Sequence, residues 1–284
     1  MEEIGAGLTP GVTAAVLVAA LLHAGWNAMI RSSGDKTLDT LLVAGGAAAI
    51  SAAVLPFVPV PDRASWPHLA TSGLLHVAYF SALIGAYRFG DLSRAYTLMR
   101  GVAPLLIALA GAVVLGERLP VAVWAGVGLV SAGVLAIGVL RTGLPGEARS
   151  TWFALANAGV ICCYTLVDGA GVRLSGSTAG YTLWVFLLSV VPLLAWVSRT
   201  RGRALLSYTA SAWMRGLVGG GCQVGAYGIA LWAMTLAPVA AVAALRETSV
   251  VFAAIIGALF LKERFGAGRI AAAVVVATGV ALMK

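Results

Sequence analysis

Long apolar segments follow one another along almost the whole chain, and only short connections separate them. Hydrophobic residues make up 60% of the 284 residues and charged residues 11%, whereas soluble domains hold about 45–50% apolar and about 25% charged residues. Because a helix needs about 20 apolar residues to cross a bilayer, we expect an all-α polytopic membrane protein. Ten transmembrane helices are predicted, at residues 11–30, 38–57, 67–87, 93–115, 120–140, 151–172, 179–198, 212–233, 238–260 and 267–283.

The two halves of the chain resemble each other at a fixed interval of 146 residues (263 − 117), close to half its length. The pairs at this interval are Glu117 and Glu263, Arg118 and Arg264, Arg100 and Arg246, and Gly133 and Gly279. A fixed period of this kind indicates an internal duplication. We therefore predict two five-helix repeats, at residues 1–142 and 143–284.

Lysine and arginine are distributed unevenly over the predicted loops. When the loops are assigned alternately to two sides, one side receives thirteen basic residues and the other receives four, namely Arg63, Arg118, Arg173 and Lys284. The positive-inside rule places the richer side in the cytoplasm, so both termini are predicted to be periplasmic, in a bacterial-type inner membrane.

An odd number of spans in each half means that the second repeat enters the membrane inverted relative to the first. Inverted repeats are typical of secondary transporters, in which the substrate binds near mid-membrane between the repeats. Exchange of the conformations of the two repeats then gives alternating access, so a transporter is favoured over a channel.

Several other functional classes lack their motifs. The sequence has no G-x-x-x-x-G-K-[ST] run, no H-E-x-x-H and no G-x-S-x-G, so we expect no enzyme, no catalytic residue and no cofactor. Cys162, Cys163 and Cys222 fall within predicted spans and are expected to act as small apolar side chains rather than as metal ligands. Basic residues are scattered singly, which argues against nucleic acid as a partner.

Paired motifs resemble those of a known transporter family. The motifs are Ala95 to Arg100 with Gly116-Glu117-Arg118-Leu119 in the first half, Ala241 to Arg246 with Lys262-Glu263-Arg264-Phe265 in the second, and Trp26-Asn27 late in span 1. Their joint spacing, over nearly the whole chain, resembles the EamA type of the drug/metabolite transporter superfamily. The duplicated pattern is broken where Pro104 has Val250 as its mate and where Gly126 has Ala272.

The resemblance implies a basket of ten helices around a central cavity. Spans 1, 3, 4, 6, 8 and 9 would line this cavity, and spans 5 and 10 would lie at the periphery. It also implies a small-molecule substrate bound between the halves. Members of the superfamily export or exchange amino acids, nucleotide sugars, sugar phosphates or toxic organic compounds.

Charged residues inside spans are costly and commonly functional. In a functional role, Arg100 and Arg246 could bind a substrate carboxylate or form a gate. In a structural role, they could cap carbonyl groups or pair with a carboxylate. The sequence leaves both roles open. Glu247 points about 100° away from Arg246 on a helix; we favour a structural pair with an arginine across the bundle over a proton-coupling role. Asp168 is expected near a helix end in contact with water, and His76 is expected to pack through hydrogen bonds.

Aromatic residues give the best indication of the substrate. Five tryptophans near predicted span ends are typical of an interfacial belt, namely Trp66, Trp124, Trp152, Trp196 and Trp213. Other aromatic and polar residues within spans could stack and orient a planar or apolar group. The predicted substrate-binding and gating residues are Trp26, Asn27, His76, Tyr79, Tyr96, Arg100, Tyr164, Gln223, Tyr227, Trp232, Arg246, Glu247 and Ser249.

Two further motifs are assigned to structure. The Glu-Arg pairs at 117–118 and 263–264 lie at span ends, where we predict that they cap helix termini or bond to each other. Span 8 contains Gly216-x-x-x-Gly220 followed by Gly221-x-x-x-Gly225. This spacing is typical of close helix contacts, and a glycine hinge in span 8 is the alternative.

The charges narrow the choice of substrate. Phosphorylated solutes need several convergent cations, but Lys36, Lys262 and Lys284 all lie at segment ends. Cationic drugs need an available carboxylate, but span 1 has none and Glu247 sits beside an arginine. We therefore predict export of amino acids, aromatic or large apolar, a choice that rests partly on the resemblance. A multidrug, sugar-phosphate or nucleotide-sugar transporter and a non-transporting membrane scaffold are the alternatives; proton coupling and oligomeric state stay open.

Overall fold

The computed structural model describes residues 8–89, 92–139, 147–260 and 267–283, which fold into helices joined by short turns. The helices are α1 (Pro10–Arg31), α2 (Lys36–Val54), α3 (Trp66–Phe89), α4 (Leu92–Val114), α5 (Val121–Val139), α6 (Glu147–Arg173), α7 (Thr178–Leu236), α8 (Val239–Arg246), α9 (Ser249–Phe260) and α10 (Ala267–Leu282), with 3₁₀ turns at Leu55–Phe57 and Arg63–Ser65. The predicted all-α membrane fold is confirmed.

Helix α7 contains two spans rather than one. Its run of 59 residues includes two apolar segments long enough to cross a membrane, Thr178–Gly202 and Ser207–Leu236, here called the first and second arms of α7. A methyl group on Gly228 would lie 3.6 Å from Cγ2 of Thr182, whereas one straight helix would separate these residues by about 69 Å (46 residues at 1.5 Å each). The arms therefore fold back on each other, although helical backbone continues through the predicted loop.

The ninth predicted span is broken in its middle. Between α8 and α9, the amide of Glu247 donates to the carbonyl of Ala244 (3.0 Å) and that of Thr248 donates to the carbonyl of Leu245 (3.2 Å). These bonds reach back three residues instead of four, so the backbone tightens locally into a turn of the 3₁₀ type. The sequence prediction of one continuous helix over 238–260 is wrong here, and the interruption falls at the charged residues of the span.

Ten helical segments of the described part of the chain correspond to the ten predicted spans, when the arms of α7 count separately and α8 with α9 count as one. Seven are long and apolar enough to cross a membrane by length and composition, and shorter apolar helices run over Val121–Ala136 and Ile270–Leu282. The remaining one, α3, has 24 residues and packs on α6. The ranges agree with the predicted spans to within a few residues at most of their ends.

The contacts between α5 and α10 are related by the symmetry of the two repeats. A methyl group on Gly126 would lie 2.6 Å from the carbonyl oxygen of Gly279, and one on Gly133 would lie 2.9 Å from that of Ala272. At the interval of 146 residues, residue 126 corresponds to residue 272 and residue 133 corresponds to residue 279. The contact between 126 and 279 is therefore the symmetry counterpart of the contact between 133 and 272. Small residues at these positions let the two backbones approach closely. The break in the duplicated pattern, glycine at 126 against alanine at 272, falls within this contact.

The first glycine pair of span 8 makes the close contact that its spacing predicts. A methyl group on Gly220 would overlap the backbone nitrogen of Ala47, and one on Gly216 would lie 2.8 Å from the carbonyl oxygen of Leu42. Helix α2 therefore packs backbone to backbone against the second arm of α7. At Gly221 the nearest atom would lie 3.8 Å away, so the second pair adds little to this contact.

Candidate functional site

A buried ion pair joins the two repeats. Nε of Arg100 on α4 lies 2.9 Å from Oε2 of Glu247 in the break between α8 and α9, and the two side chains are only 8% and 6% exposed. The predicted pairing of Glu247 with an arginine across the bundle is confirmed. Because removing one partner would leave an uncompensated buried charge, the pair fixes the distance between these elements.

Arg246 places a second positive charge beside this pair. Its guanidinium lies over the ring of Tyr227, 5.3 Å from the centroid, in a cation–π contact. His23 on α1 is close enough to interact electrostatically with both Arg100 and Arg246. Two arginines and one glutamate give this trio a net charge of +1, which leaves positive charge for an anionic group of a ligand.

Aromatic rings from α3, α4 and α6 form a wall beside the charged trio. The rings of Tyr79 and Tyr164 meet edge to face with centroids 6.1 Å apart, and His76 lies 5.0 Å from Tyr164. Nδ1 of His76 lies 2.8 Å from the carbonyl oxygen of Ser72, and since a carbonyl only accepts, Nδ1 is the donor. Tyr96 on α4 is near enough to interact with Arg100 and Tyr164.

Helix α1 adds Trp26 and Asn27. The rings of His23 and Trp26 meet edge to face, with centroids 5.0 Å apart. The Asn27 amide donates to the carbonyl of His23 at 2.8 Å, within the same helix. Trp26 therefore faces the cluster through His23, whereas the nitrogen of the Asn27 side chain is occupied by its own backbone.

Several buried polar atoms near the cluster have no hydrogen-bond partner among the described residues. They include Nε1 of Trp26, Nη2 of Arg100, Oε1 of Gln223 and Oγ of Ser249, whereas Nε of Arg100 and Oε2 of Glu247 meet each other as an ion pair. Buried polar groups are normally paired, so each exception needs an explanation. These atoms come from α1, α4, the second arm of α7 and α9, and they include both donors and acceptors. They are available to a ligand that carries both hydrogen-bond donors and acceptors.

Trp232 does not join the other predicted residues. It follows Tyr227 by five residues, which turns it about 140° around the helix, and it is 41% exposed. The tryptophans assigned to the interface include strongly exposed rings as well, with Trp66 at 51% and Trp152 at 74%. We therefore place Trp232 with that outer set.

Asp168 is the functional candidate that sequence reasoning placed wrongly. It was expected near a helix end in contact with water, but it is 0% exposed. Its carboxylate accepts hydrogen bonds from the hydroxyls of Ser72 at 3.0 Å, Tyr181 at 3.0 Å and Tyr227 at 2.5 Å. Helices α3 and α7 cover the end of α6, so distance from the helix end is a poor guide to solvent contact. A carboxylate within an apolar span was the available signal.

Glu117 caps a helix, as its position at a span end predicted. Its carboxylate accepts from the backbone nitrogen of Val239 at 2.7 Å and of Ala240 at 3.4 Å, the first residues of α8. It also pairs with Arg173 at 3.1 Å, which in turn donates to the carbonyl of Met234. The second copy of the motif, Glu263-Arg264, lies outside the described residues.

A separate groove of about 410 Å³ lies between α5 and α10. Its lining consists of Ala132, Gly133, Ala136, Gly268, Ala271, Ala272 and Val275. With no polar side chain in this lining, the groove offers nothing to orient a polar metabolite. The candidate site is therefore the central charged and aromatic cluster.

The chain is similar to known proteins over both of its halves. The sequence profile of the EamA-like transporter family matches residues 10–139 and, separately, residues 151–284. No curated protein matches the chain. Among solved structures, the fold is similar to one described only as "Crystal structure of protein", with 21% identity, a TM-score of 0.70, and coverage of 95% of this chain and 98% of that chain. The fold and the two consecutive repeats are thus supported independently of the site.

Proposed function

Because the chain belongs to the EamA-like transporter family, we propose that it is a secondary active transporter of the inner membrane that exports amino acids with aromatic or large apolar side chains. The observation that carries this proposal is the set of unpaired buried polar atoms beside a net positive trio and an aromatic wall. The proposal includes transport by alternating access, which is supported by the predicted inversion of the repeats, with the substrate bound between them.

The two arginines supply the carboxylate-binding part of the site. Nη2 of Arg100 is buried without a partner among the described residues, and Arg246 contacts the face of Tyr227 and, among the residues that the structure describes, no carboxylate. A substrate carboxylate between them would accept charge-assisted hydrogen bonds, which are about twice as strong as neutral ones.

The ammonium group of the substrate would lie toward Glu247 and Gln223. Glu247 already contacts Arg100, so a substrate that carries both charges can enter without changing the net charge of the buried trio. A sugar phosphate would add two negative charges beside Glu247, and a cationic drug would add a positive charge beside two arginines. Both would cost more in a site shielded from water, which favours a zwitterion.

The aromatic wall supports a large side chain on that zwitterion. Tyr79, Tyr96 and Tyr164 offer ring faces and edges at one side of the charged trio, and Trp26 adds an indole from α1. Aromatic and large apolar groups gain both buried area and ring contacts from such a lining. Small polar amino acids would gain little from it.

Counterflow in proteoliposomes tests the proposal. Vesicles loaded with unlabelled phenylalanine, leucine, threonine, glucose 6-phosphate or tetraethylammonium are diluted into the corresponding radiolabelled solute, and label entry is followed. We expect rapid exchange of phenylalanine and leucine, and little exchange of the other three. Preference for glucose 6-phosphate or tetraethylammonium would assign another substrate class, and no exchange of any solute would favour a non-transporting scaffold.

Trp232→Phe is the matched control for Trp26→Phe. Both substitutions remove an indole and keep a ring, but only Trp26 faces the cluster. We expect a higher KM for phenylalanine in Trp26→Phe and unchanged counterflow in Trp232→Phe. Equal losses in both variants would remove the argument for the position of the site.

A further inference from the structure

Asp168 on α6 is held by three hydroxyl groups that come from three other segments of the bundle. Ser72 belongs to α3, Tyr181 to the first arm of α7 and Tyr227 to the second arm. The carboxylate therefore connects both repeats, since α3 lies in the first and α6 and α7 lie in the second. None of its three partners carries a charge.

The titratable and charged groups around Asp168 are few. His76 faces it from α3, Tyr164 lies on its own helix, and Arg246 lies beyond the ring of Tyr227. Within the described residues, no ion pair joins Asp168 to a cation. A buried carboxylate without a cation partner is costly inside a membrane and is commonly functional.

Glu247 differs from Asp168 in this respect. It contacts Arg100 at 2.9 Å and follows Arg246 directly, so binding a proton there would leave two buried arginines without a negative partner. Binding a proton at Asp168 would remove a buried charge that no ion pair balances among the described residues. Between Glu247 and Asp168, Asp168 is the carboxylate whose charge can change at lower electrostatic cost.

The hydrogen bonds give this change a mechanical consequence. An ionised carboxylate only accepts, whereas a protonated one carries an O–H donor. Oδ2 accepts from both Ser72 and Tyr227, so a proton on Oδ2 must reverse or displace at least one of these hydrogen bonds. Tyr227 also supports the guanidinium of Arg246. Movement of Tyr227 would therefore change the position of Arg246, the proposed carboxylate-binding arginine.

We infer that Asp168 is the proton-binding site that couples export to proton entry, with Tyr227 as the link to the substrate site. One proton binds Asp168 from the outer side and is released to the cytoplasm for each amino acid that leaves. This inference rests on the proposed function, because it assumes that Arg246 contacts a transported substrate.

The test compares gradient-driven accumulation with exchange in proteoliposomes, using radiolabelled phenylalanine. With an acidic lumen, the wild-type protein is expected to accumulate label at least fivefold, and nigericin, which collapses the pH gradient, abolishes this. Asp168→Asn is expected to lose accumulation while keeping counterflow within about twofold of wild type, since exchange needs no net proton movement. Accumulation by Asp168→Asn at the wild-type level would overturn the inference, as would loss of counterflow in a well-folded variant.

A second variant serves if Asp168→Asn does not fold. Tyr181→Phe keeps the carboxylate but removes one hydroxyl that stabilises its ionised form, so the midpoint of the pH dependence of accumulation should rise by half a pH unit or more. An unchanged midpoint would overturn the inference. If wild-type protein exchanges no amino acid at all, the proposed function fails; if it exchanges phenylalanine but ignores pH gradients, only the coupling role of Asp168 fails.

Discussion

Arg100 and Glu247 form a buried ion pair between the repeats, with the two side chains 2.9 Å apart, and the glutamate has no counterpart in the first repeat. The mate of Arg100 at 146 residues is Arg246, but the mate of Glu247 is Gly101. One carboxylate is therefore present for two symmetry-related arginines, and it pairs with Arg100. Among the described residues, Arg246 contacts the ring of Tyr227 instead of a carboxylate, and the predictions about the site follow from this asymmetry.

Arg246→Ala should abolish high-affinity exchange without loss of protein. Removing a buried charge-assisted contact typically costs about 2–5 kcal/mol, so KM for phenylalanine should rise by at least about 30-fold. Counterflow over a range of phenylalanine concentrations measures this. Arg63→Ala, at an exposed arginine between α2 and α3, is the control and should behave as wild type. Normal KM in Arg246→Ala would limit that residue to a structural role.

Arg100→Ala should destabilise the fold because it leaves Glu247 charged and buried without its partner. Breaking one side of a buried pair costs about 3–5 kcal/mol, which should lower Tm of the detergent-solubilised protein clearly. The double variant Arg100→Ala with Glu247→Ala should recover part of the loss, since no charge is then stranded. Additive losses in the double variant, measured by thermal unfolding, would contradict a coupled pair.

Glu117→Ala should destabilise the start of α8. The substitution removes the acceptor for the amides of Val239 and Ala240 and the ion-pair partner of Arg173, and loss of a cap costs about 0.5–2 kcal/mol. Arg118→Ala changes the exposed neighbouring residue and is the matched control. Thermal unfolding should separate the two variants; equal Tm values would show that the cap contributes nothing.

Gly126→Val should weaken the contact between α5 and α10. Even a methyl group at residue 126 would lie 2.6 Å from the carbonyl oxygen of Gly279, whereas one at Gly128 would meet nothing within 4 Å. Gly128→Val is therefore the control of equal size in the same helix. We expect lower expression and a lower Tm for Gly126→Val alone, as measured by fluorescence-detected gel filtration.

A reporter fused to the C-terminus checks the predicted orientation. Alkaline phosphatase is active only in the periplasm, and the distribution of basic residues places both termini there. We expect an active phosphatase fusion and a dark fusion to green fluorescent protein. The opposite pattern would invert the assignment of every loop.

The spans and the repeats could be predicted because each depends on a property that sequence records directly. Span length follows from apolar run length, and the duplication follows from residues such as Glu117 and Glu263 that return in register. The break before Thr248 could not be predicted, since hydropathy reports composition and not the ladder of backbone hydrogen bonds. Asp168 was misplaced for a related reason: its burial depends on α3 and α7, which are distant in sequence.

The sequence predicted that Glu247 pairs with an arginine but not which arginine it pairs with. An arginine partner across the bundle followed from the cost of a lone buried charge, but the sequence did not say whether Arg100 or another arginine would reach it. That choice depends on how α4 packs against α8, which is a property of the assembled bundle.

The turn at Glu247 and Thr248 divides one membrane crossing into two short rods that need not move together. All eight residues of α8 are buried, whereas α9 includes exposed side chains such as Ile255 and Leu259. Helix α8 can stay fixed among its buried neighbours while α9 tilts in the lipid. In the proposed transport cycle, a tilt of α9 would carry Ser249 with it and leave Arg246 in place on α8.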